Sequence, residues 1–74
     1  MRHMREVLER LDLNKRERIN EYPNEKHFLL SSELIEKRHE PDRLYYVLTE
    51  KGARFRDKFI ELCDLIKSEQ DGRN

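Results

Sequence analysis

The chain has 74 residues, of which 35% are hydrophobic and 43% are charged, so it is poor in core-forming side chains for a globular domain. A chain of this length buries only about 60% of the surface that its unfolded form exposes, which allows one domain with a small core and favours a partner chain. Sixteen basic and sixteen acidic side chains cancel, and they balance within residues 1–43 and within residues 44–74. This balance excludes tight non-specific binding to nucleic acid unless the charges segregate on the surface.

The cysteine content and hydropathy predict a cytoplasmic protein. Cys63 is the single cysteine, which excludes an internal disulfide and indicates a reducing compartment. The sequence has no run of about 18 apolar residues and no recognisable signal peptide, so we expect no membrane contact. We expect one domain over residues 1–67 and a polar, frayed tail over residues 68–74.

The N-terminal residues predict an amphipathic helix from Arg2 to Leu13. Its apolar positions recur at the three- and four-residue spacing of one helical face, and charged side chains lie between them. These apolar positions are Met4, Val7, Leu8 and Leu11. The stripe predicts that this first helix packs on the core.

A short second helix is predicted from Lys15 to Tyr22. Asn14 is a favourable N-cap, and Glu17 three residues later completes a pattern typical of a capping box. The apolar face of this predicted helix is reduced to Ile19 and Tyr22. Pro23 restricts the backbone of Tyr22 to an extended conformation and therefore ends this helix.

A third helix is predicted from Glu25 to Ser32, with Asn24 as its cap. Phe28 and Leu29 are expected to face the core. The alternative is that His27 to Leu30 forms a strand or a loop.

A hairpin follows, and its sequence pattern is stronger. Two short apolar-rich runs, Leu34 to Arg38 and Leu44 to Leu48, flank a turn. In that turn Pro41 and Asp42 occupy the second and third positions, as a type I turn favours. The runs therefore predict two antiparallel strands.

The last predicted helix begins with Thr49 as its N-cap and Glu50 in its first turn, and it continues to about Lys67. One apolar stripe comprises Phe55, Phe59, Leu62, Cys63 and Ile66. Ile60 and Leu65 lie off this stripe and widen the apolar coverage, which indicates two packing partners. We therefore expect a homodimer contact formed by Phe59, Ile60, Cys63 and Ile66.

The segments LIEKR (34–38) and YYVLTEKG (45–52) resemble the wing and following helix of winged helix-turn-helix proteins, in their MarR-like and PadR-like branches. The resemblance covers about residues 24–67. It implies a mainly α fold with a small β-hairpin, an α+β fold in the order helix, helix, helix, strand, strand, helix. In that fold the third helix enters the major groove. The implied function is a double-stranded DNA-binding transcriptional regulator that acts as a homodimer.

The resemblance implies DNA contacts from three elements of the chain. A helix N-terminus and basic side chains can hold phosphates, and polar groups can meet base edges. The candidates are Lys15 and Arg16 on the second helix, Asn24, Lys26, His27 and Ser31 on the third, and Lys37, Arg38, His39 and Arg43 on the wing. The alternative is a protein-docking module, an adaptor or antirepressor, because the net charge is zero and the last helix is widely apolar.

The sequence offers no pattern for catalysis. The three histidines and Cys63 have no spacing that preorganises a metal site. Two glycines cannot form a phosphate-binding loop, and the carboxylates alternate with basic residues as on a solvated surface. We therefore expect no enzymatic activity, no metal and no cofactor.

Overall fold

A computed structural model describes the backbone of residues 1–71 and the side chains of residues 1–67. This part of the chain contains three helices and one antiparallel hairpin. They are α1 (Met4–Arg10), α2 (Pro23–Ser31), β1 (Ile35–His39), β2 (Leu44–Leu48) and α3 (Glu50–Asp71). The predicted α+β class is confirmed, whereas the predicted order, with three helices before the hairpin, is wrong.

The predicted second helix does not form over residues 15–22. Asn14 has a φ of 61°, in the left-handed region, so the chain turns where a helix cap was expected. Glu17 then pairs with Tyr46: the N–H of each residue donates to the carbonyl oxygen of the other, at 3.0 and 2.8 Å. This pairing uses backbone groups that a helix would need, and it lays the segment along the edge of β2 that β1 does not cover.

The first helix is shorter than predicted. α1 ends at Arg10 because Leu11 is extended, with a ψ of 148°. Leu11 nevertheless stays buried, so the predicted apolar stripe is confirmed even though its last member lies beyond the helix.

The helix α2 begins two residues before the predicted start. Pro23 occupies its first turn, where the missing N–H needs no partner, and Tyr22 takes the N-cap position. Asn24 therefore lies within the helix and is not its cap. The stretch from His27 to Leu30 is helical, so the strand or loop alternative is wrong.

The predicted hairpin is confirmed to within one residue. β1 and β2 pair antiparallel, in a register that sets Ile35 opposite Leu48. The turn is closed by two backbone hydrogen bonds between Glu40 and Arg43, at 2.9 and 3.2 Å. Because side chains alternate along a strand, the hairpin has a core face and an outer face.

The core lies between the two short helices and the core face of the hairpin. Each large aliphatic side chain in it contributes about 1.5–3 kcal/mol relative to an exposed position. The buried cluster comprises Met4, Val7, Leu8, Leu11, Ile19, Leu29, Leu34, Ile35, Tyr46 and Leu48. Phe55 and Phe59 of α3 pack against this cluster, so the N-terminal half of α3 completes it.

Thr49 joins the hairpin to α3 and to the loop before β1. Its hydroxyl accepts the Gly52 N–H at 2.9 Å and lies 3.0 and 3.1 Å from the carbonyl oxygens of Glu33 and Leu34. Its role as the N-cap of α3 is therefore confirmed.

We expect Thr49→Val to lower the free energy of unfolding by about 1–2 kcal/mol, because valine leaves the Gly52 N–H and the Leu34 carbonyl without the hydroxyl. Thr49→Ser keeps the hydroxyl and is the matched control. Urea unfolding followed by circular dichroism measures both variants. Equal midpoints for the two would contradict the role assigned to the hydroxyl.

Candidate nucleic-acid interface

The exposed face of α2 carries small polar groups and no formal charge. Asn24, His27 and Ser31 are all exposed, and their spacing of three and four residues places them on one side of the helix. Three of the four candidates on this helix are thus brought together in solvent. Groups of this kind can reach base edges, but they add little attraction to phosphate.

Lys26, the fourth candidate on α2, points toward the hairpin. Its ammonium lies 5.6 Å from the centre of the Tyr46 ring and 3.2 Å from the side-chain oxygen of Asn20. Both contacts hold the Lys26 nitrogen in this position. Lys26 is therefore not grouped with the exposed polar face of α2, because its side chain is partly buried in these contacts.

The hairpin carries exposed basic residues near its turn. Lys37 and His39 lie on the core face of β1, beyond the part that the helices cover, and Arg43 lies in the turn. Within the described residues, none of these three side chains has a carboxylate at ion-pair distance. These three residues form what we call the hairpin-tip basic residues.

Arg38 lies on the outer face of the hairpin, where Tyr45 is its partner in the register. One of its terminal nitrogens is 3.5 Å from the Glu36 carboxylate. The four wing candidates therefore separate onto different sides of the hairpin, as alternation along a strand requires for Lys37, Arg38 and His39.

Lys15 and Arg16 do not lie at a helix N-terminus, because that helix is absent, so no helix dipole assists them. Lys15 is 3.4 Å from the carboxylate of Glu17. The Nε of Arg16 is 2.7 Å from a carboxylate oxygen of Glu40, at the base of the hairpin turn. The segment thus places Arg16 against the outer face of the hairpin.

A concave space of about 220 Å³ opens on that outer face, which we call the outer cleft. It is lined by Asn14, Arg16, Arg38, Glu40 and Val47. Val47 is only 5% exposed although it lies on the side of the sheet opposite the core. The outer cleft therefore joins a charged rim to an apolar floor.

Sequence reasoning missed Asn14, Glu40 and Val47 as parts of one site. They are brought together by the pairing of Glu17 with Tyr46, whose partners are 29 positions apart in the chain. No local motif signals such a pairing. The one local signal in the sequence is the residue type at position 14, because asparagine tolerates the left-handed conformation that the loop adopts there.

The second half of α3 exposes an apolar surface. Leu62, Leu65 and Ile66 are 58%, 55% and 55% exposed, respectively. Among the predicted dimer residues, Ile66 belongs to this surface, whereas Phe59, Ile60 and Cys63 are half-buried. We refer to Leu62, Leu65 and Ile66 as the α3 apolar surface.

Contacts from α1 and from the residue after it cover one side of α3. Arg5 on α1 lies 3.0 Å from Asp64, and this hydrogen bond raises the pKa of the guanidinium. Arg56 also bonds back to the Leu11 carbonyl at 2.9 Å. These contacts hold one side of α3 on the body and leave the other side free.

Two carboxyl groups of the described chain have lowered pKa values. The backbone N–H of His3 lies 3.0 Å from Glu25 and lowers the pKa of that carboxyl. The Leu13 N–H, with Arg56, lowers the pKa of Asp12. Both carboxylates stabilise the fold when ionised, because the contacts that lower their pKa values form in the folded chain.

The fold and surface define a small α+β domain with a charged hairpin and an apolar helix end. No helix in the described residues has the length and apolar character needed to cross a membrane, nor do three potential metal-binding side chains cluster there. No protein-family model, curated protein or solved structure matches the chain.

Proposed function

We propose that the protein is a small duplex DNA-binding protein of the winged-helix type, a cytoplasmic transcriptional regulator that acts as a homodimer. The observation that supports it best is the hairpin tip. Lys37, His39 and Arg43 project there with no acidic partner in the described chain, on a hairpin that directly follows a helix with a polar, exposed face.

A net charge of zero is compatible with DNA binding here, because many carboxylates are paired with basic side chains. Many acidic groups of the body are already engaged: Glu17 and Glu21 with Arg10, Asp64 with Arg5, and Asp12 with Arg56. Engaged carboxylates repel a phosphate less than free ones at the same distance, because their field is partly cancelled. The hairpin-tip basic residues therefore act on DNA over the short range that salt leaves unscreened.

We expect duplex DNA to bind weakly, and the affinity to fall as salt rises. Arg43→Ala should weaken binding to all sequences and reduce the magnitude of the logarithmic salt slope by about one, because it removes one phosphate contact. Fluorescence anisotropy of a labelled random duplex at two salt concentrations measures both quantities.

Arg54→Ala is the matched control, since Arg54 is exposed on α3 and is ion-paired with no described residue. Its affinity and salt slope should equal those of the unchanged protein. An absence of binding at low salt with about 100 μM protein would contradict the proposal, because non-specific affinities of such proteins reach that range.

The α3 apolar surface supports the homodimer, and it also supports a second candidate function, docking to another protein as an adaptor or antirepressor. Large exposed aliphatic groups that are contiguous on one helix mark interaction sites. A charge-neutral protein that fails to bind duplex while keeping this surface would favour the docking function.

We expect the protein to dimerise at high micromolar concentration, and Ile66→Ser to weaken the dimer by several-fold through the loss of a buried aliphatic group. Leu13→Ser is the matched control, because Leu13 is another exposed aliphatic residue, at 44%, remote from α3 in sequence. Sedimentation equilibrium measures both variants. A monomeric unchanged protein at about 100 μM would refute the dimer.

A further inference from the structure

The outer cleft brings two guanidinium groups from distant parts of the chain to one space. Arg16 comes from the segment that pairs with β2, and Arg38 comes from β1. The cleft volume of about 220 Å³ corresponds to roughly seven water molecules at about 30 Å³ each. A tetrahedral oxyanion with part of its hydration fits in this volume.

Both guanidinium groups keep donors for such a ligand. A guanidinium has five N–H donors in a planar fork, which matches two oxygens of a phosphate. Arg16 uses its Nε toward Glu40, and Arg38 uses one terminal nitrogen toward Glu36. Among the described residues, Glu40 is the one carboxylate at ion-pair distance from Arg16.

Glu40 already places an anionic group at the rim of the cleft. Its carboxylate lies 2.7 Å from the Nε of Arg16, as an ion pair. An incoming oxyanion would be attracted by the two guanidinium groups and repelled by Glu40 and, beyond Arg38, by Glu36. Both Arg16 and Glu40 keep solvent access, at 63% and 36%, so the contact can open without disturbing the core.

We infer that the outer cleft binds a phosphate group between Arg16 and Arg38, and that Glu40 is an internal competitor that weakens this binding. The phosphate is either a phosphodiester of the DNA backbone, in which case the inference rests on the proposed function, or free phosphate. Asn14 lines the same space, and its side-chain amide can donate to a phosphate oxygen.

Titration with inorganic phosphate, followed by the ¹⁵N resonances of the arginine Nε groups, tests the site directly. Arg16 and Arg38 should shift together and saturably in the unchanged protein. Glu40→Gln should tighten binding by about two- to fivefold, the range expected for removal of an exposed charge contact. Glu61→Gln is the matched control, because it removes the same charge from an exposed position on α3, and its affinity should be unchanged.

The inference is overturned if neither arginine responds to phosphate up to about 100 mM, far above the millimolar range of weak specific sites. It is also overturned if Glu40→Gln and Glu61→Gln bind phosphate equally. Amide spectra of both variants show that the fold is kept.

A second titration with duplex DNA identifies the source of the phosphate. A response of Arg16 and Arg38 to phosphate without any duplex binding supports the cleft as a free-phosphate site and refutes the proposed DNA function. Duplex binding that leaves both arginine resonances unmoved supports the DNA function and overturns the assignment of the cleft to a backbone phosphodiester, so the cleft inference then depends on the response to inorganic phosphate alone. Duplex binding that Glu40→Gln strengthens and Glu61→Gln does not supports both.

Discussion

Gly52→Ala is expected to remove most of the folding stability at room temperature. A Cβ atom at this position would overlap the carbonyl oxygen of Leu34 and lie 2.8 Å from Cδ1 of Leu48. Backbone cannot yield as a flexible side chain can, and the same Leu34 carbonyl receives the Thr49 N–H at 3.0 Å. Relief therefore requires α3 to move away from the hairpin, which we expect to cost about 3 kcal/mol.

This cost is comparable to the whole stability that a core of this size supplies, about 3–5 kcal/mol. Alanine has the higher intrinsic helix propensity, so local propensity alone predicts the opposite sign. The matched control is Lys51→Ala, at the exposed neighbouring position in the same first turn. Urea unfolding should show a small change for Lys51→Ala, and an unchanged midpoint for Gly52→Ala would contradict the close packing of α3 on Leu34.

Tyr46→Ala is expected to destabilise the protein by about 3–4 kcal/mol, the range measured for removal of buried aromatic rings. The Tyr46 side chain is only 2% exposed, and its ring supports the Lys26 ammonium. Its backbone also pairs with Glu17, so a cavity here loosens the contact that holds the 12–17 segment on the sheet.

Tyr46→Phe is the matched control for the ring. In the described residues the Tyr46 hydroxyl has no hydrogen-bond partner, and no buried side-chain oxygen lacks one, so this hydroxyl reaches solvent. Its removal should change the free energy of unfolding by about 0.5 kcal/mol or less. A loss for Tyr46→Phe as large as that for Tyr46→Ala would show that the hydroxyl, and not ring packing, carries the effect.

The parts of the fold that the sequence predicted correctly depend on neighbouring residues. The turn at Pro41 and Asp42 forms with its expected bonds, and Thr49 caps α3, because both depend on groups within four positions of each other. The Arg2–Leu13 stripe was equally local. Such features are written in a short window of sequence.

The second helix failed as a prediction for the opposite reason. Asn14 and Glu17 satisfy a capping pattern, yet the backbone of Glu17 is drawn to Tyr46, 29 positions away. The energy of a cap is about 1 kcal/mol, and two backbone hydrogen bonds plus burial of Ile19 exceed it. The same distant pairing creates the outer cleft, so neither could be predicted without the structure.

The side-chain distribution along the last helix was predicted in part. The stripe containing Phe55 and Phe59 does pack on the core, and an apolar surface does remain. This surface consists of Ile66, which was among the predicted dimer residues, and of Leu62 and Leu65, which were not. Periodicity shows that a helix has two apolar sides, but the position of α1 decides which one is covered.

The position of β1 at the rim of the sheet has a consequence for solubility. β2 is bordered by β1 on one side and by Glu17 on the other, so within residues 1–71 the outer backbone edge of β1 is left unpaired by any strand. Such an edge can recruit another chain and seed aggregation, and charged side chains along it oppose this. Glu36, Lys37 and Arg38 supply them, so replacing these residues by apolar ones would confuse loss of ligand binding with precipitation. Glutamine is the safer substitute at this edge.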